Sequence, residues 1–308
     1  MQTPLQPPKN KWTIIELITW TTGYFKTHNI DSPRSTAEIF LAHVLSLRRI
    51  DLYLRYDQPL TEEELSQFKA LIRRRIRREP VAYILGLREF WSLELQVTPH
   101  TLIPRPETEC LIEASLSCLP ELSPSAENGK ACKIVDLGTG TGAIILSLAS
   151  ERPGHEYFAV DRSVEALKTA KQNAAKHGFE NRVHFLAGDW LSAFKTGPMF
   201  DMILANPPYI PTKTIALLQP EIFQYEPLSA LDGGPDGLDC LRQITLSAHR
   251  FLKPGGYLIL EMGHDQKAGM ERIAAEASVY DSVAFSKDYG GNHRAVKMQK
   301  TRKASSVA

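Results

Sequence analysis

The stretch Ile134-Val-Asp-Leu-Gly-Thr-Gly-Thr-Gly-Ala143 joins a short apolar strand to a helix through a loop with three glycines. The predicted helix continues from Ala143 to Glu151. Glycines between a strand and a helix let a ligand approach the backbone at the carboxyl end of the strand. The loop loosely matches the G-x-G-x-x-G/A pattern of dinucleotide sites and lacks the lysine of a P-loop, which argues against hydrolysis of a nucleoside triphosphate.

Strand-like and helix-like segments alternate from Lys133 onward. Besides the strand at 134–137, strands are predicted at 157–160, 183–186, 199–205 and 257–262 and near Val283 and Ala295, and the helices between them at 164–177, 238–252 and 266–277. Such alternation implies a mainly parallel sheet covered by helices on both faces. We therefore predict an α/β protein with a doubly wound, Rossmann-like sheet of seven strands.

The first 85 residues have helical periodicity and no strand pattern. Ser35 and Glu38 have the spacing of a capping box ahead of one helix, and Thr61 and Glu64 have the same spacing ahead of another. The sequence therefore predicts a small helical bundle in front of the sheet.

The periodicity changes to two at residues 90–97, which alternate apolar and polar side chains as a half-buried strand does. With the stretch up to Ile103, this strand is expected to form a hairpin between the domains. We therefore divide the chain into a helical domain (1–85), a linking β-hairpin (86–105) and the α/β domain (106–308).

Composition and charge describe an ordinary globular protein. Of 308 residues, 43% are hydrophobic and 8% aromatic, which is typical of a chain with about two domains. No apolar run approaches the roughly 18 to 20 residues that span a bilayer. The start is polar and proline-rich, unlike a signal peptide, so we expect a cytoplasmic protein. The four cysteines have no C-x-x-C spacing, which favours buried free thiols over a metal site or disulfides.

The net charge of +1 is unevenly distributed. Residues 1–85 carry 13 Lys+Arg and 9 Asp+Glu, so their charge is +4, whereas the remainder carries 23 and 26, so its charge is −3. This balance is compatible with an acidic partner but falls short of a dedicated nucleic-acid binder. Five arginines crowd the end of the last front helix, either as a solvated face or as part of a docking surface: Arg73, Arg74, Arg75, Arg77 and Arg78.

The apolar run 199–205 ends abruptly at Asn206-Pro-Pro-Tyr209. Two prolines remove two backbone donors and hold the preceding Asn206 in an extended turn. The carboxamide and the free carbonyl of Pro207 suit a planar amino group whose two hydrogens must both be held, and Tyr209 adds a flat apolar wall. A loop that is merely stopped by prolines is the alternative.

Two further strand ends carry candidate binding residues. Asp161 lies 25 residues after Asp136, where a carboxylate can accept hydrogen bonds from two ribose hydroxyls; a helix cap is the alternative. Asp189 and Trp190 follow the third strand, where they suit the amine and the face of a flat ring, unless Trp190 simply packs in its loop. Together the three strand ends predict a nucleoside site.

These motifs resemble S-adenosylmethionine-dependent amino-group methyltransferases and, more narrowly, the release-factor glutamine methyltransferases of the PrmC/HemK family. The helical front piece also has that family's size. The matching stretches span residues 78–291 and include 78–86, 102–109, 136–144, 188–190, 206–209, 226–227, 231–238 and 288–291.

The resemblance implies transfer of a methyl group from S-adenosylmethionine, which leaves as S-adenosylhomocysteine, to the glutamine side-chain amide in the Gly-Gly-Gln motif of peptide chain release factors. For such a reaction we expect no metal, because the sulfonium supplies the reactivity. We also expect no membrane association, no direct specific nucleic-acid binding and a monomer, and we expect the helical domain to dock the substrate. The catalytic residues are then Asn206, Pro207 and Tyr209. The donor is held by Gly138, Thr139, Gly140, Thr141, Gly142, Asp161, Asp189, Trp190 and Asn206. The substrate is held by Leu102, Asn206, Pro207, Pro208 and Tyr209.

Four other functions remain open at the level of sequence. Exocyclic amines of DNA or RNA bases are also planar, but an enzyme acting on them needs a target-reading or base-flipping domain. A glutamine of a ribosomal protein is a second possible acceptor. A cofactor-binding regulator that is not an enzyme is a third alternative, and an NAD enzyme is a fourth. The NAD enzyme would leave Asn206 to Tyr209 without a role.

Overall fold

The computed structural model describes residues 11–122 and 131–302. The chain divides into two compact units, Met1–Leu85 and Gly86–Ala308, and each has its own apolar core. The proline-rich start lies outside the described residues. So do residues 123–130, in a stretch (120–130) whose sequence predicts a surface loop, and residues 303–308, in a tail after Gln299 whose sequence predicts disorder. No helix in the described ranges is both long and apolar enough to cross a membrane.

The first unit is helical, as predicted. Its helices are α1 (Ile14–Thr27), α2 (Pro33–Val44), α3 (Arg49–Leu54), α4 (Glu62–Arg75) and α5 (Val81–Leu85). Their apolar faces meet in one buried cluster that includes Ile14, Phe25, Phe40, Leu41, Leu52, Phe68, Ile72 and Ile84. Burial of this cluster supplies stability that short helices lack on their own.

The predicted capping box at the start of α4 is confirmed. The Thr61 hydroxyl accepts a hydrogen bond from the Glu64 N–H at 3.2 Å, and the Glu64 carboxylate accepts one from the Thr61 N–H at 2.7 Å. These bonds satisfy two backbone donors that the first turn of a helix leaves unpaired.

The predicted capping box at Ser35 and Glu38 is wrong. Helix α2 begins earlier, at Pro33, so both residues lie inside the helix. The buried Glu38 carboxylate instead accepts hydrogen bonds from Arg49 at 2.6 Å and from Tyr53 at 2.5 Å. A local spacing rule cannot reveal such partners, because they come from another helix.

The second unit begins with a β-hairpin of β1 (Leu87–Phe90) and β2 (Leu93–Gln96). The prediction of one strand over 90–97 is wrong, because the chain reverses at Trp91 and Ser92, whose φ angles are +49° and +61°. A two-residue turn with two positive φ angles is usually signalled by Asn-Gly, and Trp-Ser gives no such signal. Residues 98–103 form a turn and a loop rather than the second strand.

The rest of the second unit alternates strands and helices. Its helices are α6 (Glu109–Leu116), α7 (Ala143–Glu151), α8 (Val164–Lys176), α9 (Pro220–Phe223), α10 (Asp239–Ala248) and α11 (Lys267–Ala277). Its strands are β3 (Lys133–Leu137), β4 (Glu156–Asp161), β5 (Val183–Ala187), β6 (Phe200–Ala205), β7 (Leu252–Glu261), β8 (Tyr280–Lys287) and β9 (His293–Lys300).

These strands form one seven-stranded sheet in the order β5-β4-β3-β6-β7-β9-β8. All neighbours are parallel except the pairs that involve β9, which runs antiparallel to both β7 and β8. The predicted doubly wound, mainly parallel sheet is therefore confirmed. Two of these boundaries differ by more than one residue: α10 ends at Ala248 rather than at 252, and β7 already begins at Leu252, where it pairs with Phe200.

Side chains of the central strands alternate between two apolar cores. Ile134 and Met202 pack on the side of α6 and α7, whereas Val135 and Ile203 pack on the side of α10 and α11. Because both faces are covered, these strands have continuous apolar sequences rather than an alternating pattern.

All four cysteines are free, as predicted, but only Cys110 is buried. Burial raises the pKa of its thiol to about 11, so the thiolate is scarce at neutral pH. The other three are partly exposed: Cys118 and Cys132 pack at the edge of an apolar core, and Cys240 lies in the wall of a cavity.

The hairpin is fastened to α8 by Asn173, which is fully buried. Its amide oxygen accepts a hydrogen bond from the Gln96 N–H at 2.6 Å, and its amide nitrogen donates to the Gln96 carbonyl at 3.0 Å. The same nitrogen donates to the carbonyl of Thr141 at 2.9 Å. One side chain therefore joins the hairpin, α8 and the glycine loop after β3.

We expect Asn173→Ala to lower the free energy of unfolding by about 2–4 kcal/mol, because one buried and two partly buried backbone groups lose their partner. Urea unfolding followed by circular dichroism measures it. Lys176→Ala is the matched control on the same helix, since the Lys176–Glu94 ion pair is exposed and should contribute under about 1 kcal/mol. Equal losses in the two variants would contradict the role given to Asn173.

Candidate active site

The cavity of interest opens at the carboxyl edge of the sheet, where β3 and β6 lie side by side. The chain proceeds from β3 outward to β4 and β5, then returns to β6 on the other side of β3. Crossovers diverge at such a reversal of strand order and leave a crevice in which α/β proteins bind ligands. The cavity has a volume of about 660 Å³, within the range of small-molecule sites.

Most of the predicted site residues meet in this cavity. Its wall includes Leu102, Gly138, Gly140, Thr141, Asp161, Asp189, Trp190, Asn206 and Pro208. Four others, Thr139, Gly142, Pro207 and Tyr209, are not part of the described wall.

The glycine loop is shaped by backbone angles that favour glycine. Gly138, Gly140 and Gly142 have φ angles of +72°, +56° and +82°. A Cβ atom on Gly142 would lie 3.1 Å from the side chain of Leu146, so this glycine also allows close packing at the start of α7. The loop therefore presents backbone to the cavity, as the sequence predicted.

The side chain of Thr139 makes a hydrogen bond within the segment that joins β3 to α7. Its hydroxyl donates a 2.7 Å hydrogen bond to Oδ2 of Asp136, a fully buried carboxyl group. Burial raises the pKa of Asp136 to about 7, and the negative charge of Asp161 adds to the rise. Oδ1 of Asp136 makes no regular hydrogen bond within the described residues. Sequence reasoning did not place Asp136 in the site, although it is the last polar residue before the loop.

Asp161 connects the glycine loop to the end of β4. One carboxylate oxygen accepts a 2.9 Å hydrogen bond from the Gly140 N–H, and the other accepts a 2.8 Å bond from the Ser163 N–H. A carboxylate has about four acceptor positions, so about two remain for a diol in the cavity. The N-cap of α8 is Ser163, whose hydroxyl accepts from the Ala166 N–H, so capping by Asp161 is not needed.

Trp190 and Asp189 occupy the next strand end. Trp190 is half-buried, has a φ angle of +49° and faces the glycine loop, where a Cβ on Gly138 would lie 3.5 Å from its ring. Positive φ is unusual for a bulky residue and recurs where a side chain is held for a ligand. The exposed Asp189 lies beside it in the cavity wall.

Asn206 follows β6 and is half-buried in the cavity wall. Its Nδ2 donates a 3.2 Å hydrogen bond to the hydroxyl of Thr108, which precedes α6. This bond leaves Oδ1 as the acceptor that Asn206 can offer to a ligand.

Tyr209 points away from the described cavity wall. Its ring packs against the core beside β6 and β7, and its hydroxyl donates a 3.0 Å hydrogen bond to Oε1 of Glu261. Burial and the carboxylate together raise the pKa of Tyr209 above its ordinary value. The expected flat wall is supplied by Pro208 and Trp190 instead.

The opposite wall is a pair of loops held together by Glu226. Its buried carboxylate accepts a 3.2 Å hydrogen bond from the Ile103 N–H and forms an ion pair with Arg105. Burial raises the pKa of Glu226, and Arg105 partly offsets the rise. The sequence signals for this contact were only the two separate motifs at 102–109 and 226–227.

Comparison with family models gives two matches. A model described as "PrmC N-terminal domain" matches residues 16–86, and one described as "Methyltransferase domain" matches residues 128–303.

The chain also resembles curated proteins over most of its length. It is 40% identical over 260 residues to the release factor glutamine methyltransferase of Geobacter sulfurreducens, covering 83% of this chain and 86% of that protein. It is 45% and 43% identical over 264 residues to the enzymes of that name from Salmonella typhimurium and Escherichia coli, covering 86% of this chain and 91% of each.

A solved structure shares the fold. The human Mettl16 catalytic domain, determined with the MAT2A 3′UTR hairpin 1, superposes with a TM-score of 0.56 at 14% identity, covering 87% of this chain and 92% of that one. At this identity the likeness shows the fold alone.

Asp161→Ala should weaken binding of S-adenosylmethionine roughly 10- to 150-fold, the usual loss for hydrogen bonds to a charged group. Titration calorimetry measures the dissociation constant. Ser163→Ala is the comparison: it removes the cap of α8 and should cost about 1 kcal/mol of stability while affinity changes little. An unchanged dissociation constant in Asp161→Ala would leave the residue a purely structural role.

Proposed function

The chain belongs to the release factor glutamine methyltransferases, and we propose that it methylates the side-chain amide nitrogen of the glutamine in the Gly-Gly-Gln motif of peptide chain release factors, using S-adenosylmethionine. The observation that carries the proposal is the position of Asn206. Its carboxamide lies at the switch point of the sheet with Nδ2 engaged by Thr108, so that Oδ1 is available to a planar amide.

The residues around the cavity fit the methyl donor. We assign the remaining acceptor positions of Asp161 to the ribose hydroxyls, the glycine loop to close backbone contact, and Asp189 and Trp190 to the amine and the face of the adenine ring. The bound donor supplies an electrophilic methyl group on a sulfonium, so the reaction requires neither a metal nor a strong base.

An amide nitrogen is a poor nucleophile because its lone pair is delocalised into the carbonyl group. We propose that Asn206 Oδ1 and the Pro207 carbonyl each accept one amide hydrogen of the substrate glutamine, aim the nitrogen at the methyl group and favour the positive charge that develops on it. The two prolines stiffen this turn, so the acceptors are held in place before the substrate arrives. The proton can leave after transfer, to water or to a neighbouring carbonyl.

The direct test is incubation of the full chain with purified release factors and labelled donor, followed by mass mapping of the modified residue. Ribosomal proteins and a nucleic acid are tested as alternative acceptors in separate reactions. A glutamine of another protein and an exocyclic amine of a base are planar, like the amide of the Gly-Gly-Gln glutamine. Label on the Gly-Gly-Gln glutamine is expected. Label only on another acceptor would overturn the proposal.

Asn206→Ala should lower turnover about 100- to 1000-fold, the usual effect of removing one preorganised contact to the reacting group. Donor affinity should stay close to that of the unaltered chain, because the carboxamide is assigned to the acceptor. Single-turnover assays and calorimetry separate the two quantities. Near-normal turnover in Asn206→Ala would contradict the proposed role of the carboxamide.

We also propose that the helical unit docks the body of the release factor. A glutamine between glycines offers few side chains to recognise, so selecting one protein needs contacts away from the reacting amide. Arg73 and Arg77 are exposed at the end of α4 and are the candidate cations for such a contact. Arg74 is a third candidate; it is only partly exposed, and it donates hydrogen bonds to Glu79 and to the carbonyls of Tyr83 and Ile84.

Deletion of residues 1–85 should reduce kcat/KM for the whole release factor far more than for a short Gly-Gly-Gln peptide. The cut follows the boundary between the compact units and removes α5 with the core it belongs to. Both acceptors are assayed side by side, and donor affinity of the truncated chain checks that the remaining unit is folded. If the truncated, folded enzyme has the same kcat/KM values for both acceptors as the full chain, the proposal that the helical unit docks the substrate is wrong.

A further inference from the structure

A buried carboxyl group lies behind Asn206. Glu261 ends β7, is 1% exposed, and accepts a hydrogen bond from Tyr209 through Oε1. Its other oxygen, Oε2, makes no regular hydrogen bond in the part of the chain that the structure describes. The hydroxyl of Thr108 lies beside the same carboxyl group and favours its charged form.

These groups form a chain of hydrogen-bonding atoms that ends in the cavity. Asn206 Nδ2 donates to the Thr108 oxygen, so the Thr108 hydrogen is free to point at Glu261. An ionised carboxylate can only accept hydrogen bonds, so it draws both the Thr108 and the Tyr209 hydrogens toward itself. The lone pairs of the Thr108 oxygen are thereby left for Asn206 Nδ2.

We propose that ionised Glu261, acting through the Thr108 hydroxyl, holds the Asn206 carboxamide with its oxygen toward the acceptor amide. Glu261 and Thr108 are positioning residues for the transfer proposed above, and this inference rests on that function.

The charge of Glu261 matters because a neutral carboxylic acid can also donate. It could donate to the Thr108 oxygen, after which the Thr108 hydroxyl would donate to Asn206 Oδ1. The carboxamide would then turn its N–H groups toward the acceptor, where they meet the N–H groups of the substrate. Loss of the charge therefore replaces an attractive contact with a repulsive one.

The groups around Glu261 place its change between the neutral and the ionised form near neutral pH. Burial raises the pKa of Glu261 to about 7, and the negative charge of Glu107 opposes ionisation as well. Arg294, on β9, favours the charged form, although it is also paired with Asp288 at 2.9 Å. Tyr209 and Thr108 contribute hydrogen bonds that favour the charged form.

Three single variants test the relay. Thr108→Val removes the hydroxyl at nearly constant shape, and Glu261→Gln replaces the acceptor-only carboxylate with an amide that can also donate. Each should lower kcat roughly 10- to 100-fold, because the reacting amide is misoriented. Thr108→Ser is the matched control, and its kcat should stay within about fivefold of the unaltered chain because the hydroxyl is retained.

Two measurements distinguish a positioning role of Thr108 and Glu261 from a structural one: the affinity for the donor and the energetic coupling between the two substitutions. Calorimetry with S-adenosylmethionine should give dissociation constants within about threefold for all variants, since the relay lies on the acceptor side. The double variant Thr108→Val/Glu261→Gln should be little worse than either single one, because both break the same relay. Additive losses, or a Thr108→Ser variant as impaired as Thr108→Val, would overturn the proposal.

The pH profile of kcat is the second readout, measured with a Gly-Gly-Gln peptide at saturating donor so that titration near the donor site has little influence. The unaltered chain should lose turnover as the pH falls through about 7. Thr108→Val and Glu261→Gln should be slow across the range and lack this acid limb. If both variants keep it, Glu261 does not control Asn206. Failure of the unaltered chain to methylate the peptide or the release factor would instead contradict the proposed function.

Discussion

Parallel pairing of β3 with β6 is the constraint on which the rest of the site depends. The pairing places Leu137 beside Ala205, so the glycine loop and Asn206 leave the sheet at the same level and at the same edge. Each strand then delivers a different kind of group. Glycines expose backbone after β3, whereas a proline-stiffened turn presents a carboxamide after β6. The donor and acceptor halves of the cavity are therefore adjacent because two strands are in register.

Two carboxyl groups near the cavity are buried away from water. Asp136 and Glu261 are both almost completely buried, and burial raises the pKa of each to about 7. A buried carboxyl group is costly unless hydrogen bonds satisfy it, and each has one oxygen without a regular partner among the described residues. Such groups are concentrated at functional sites, where their cost is offset by the orientation that they impose on neighbouring side chains.

The glycine loop is held by side chains of α8 and β4. Asn173 donates a hydrogen bond to the Thr141 carbonyl of the loop, and it also holds the hairpin through the backbone of Gln96. Asp161 bonds the Gly140 N–H from the cavity side. The loop is thus held from two sides before any ligand binds, which reduces the entropy lost on binding.

The sequence by itself determined the mainly parallel sheet and the helical character of the first 85 residues, and it predicted which residues follow the strands at the carboxyl edge. These features follow from local rules: buried parallel strands are apolar runs, glycine and proline mark their ends, and parallel strands share one carboxyl edge. Tertiary structure alone decided the turn at Trp91 and Ser92, the partners of Glu38, and the placement of Tyr209 behind the cavity rather than in its wall. It also decided the contact of Asn206 with Thr108, residues separated by 98 positions. Periodicity records which face of an element is buried, but not which distant polar group will meet it there, because that depends on how all the elements pack together.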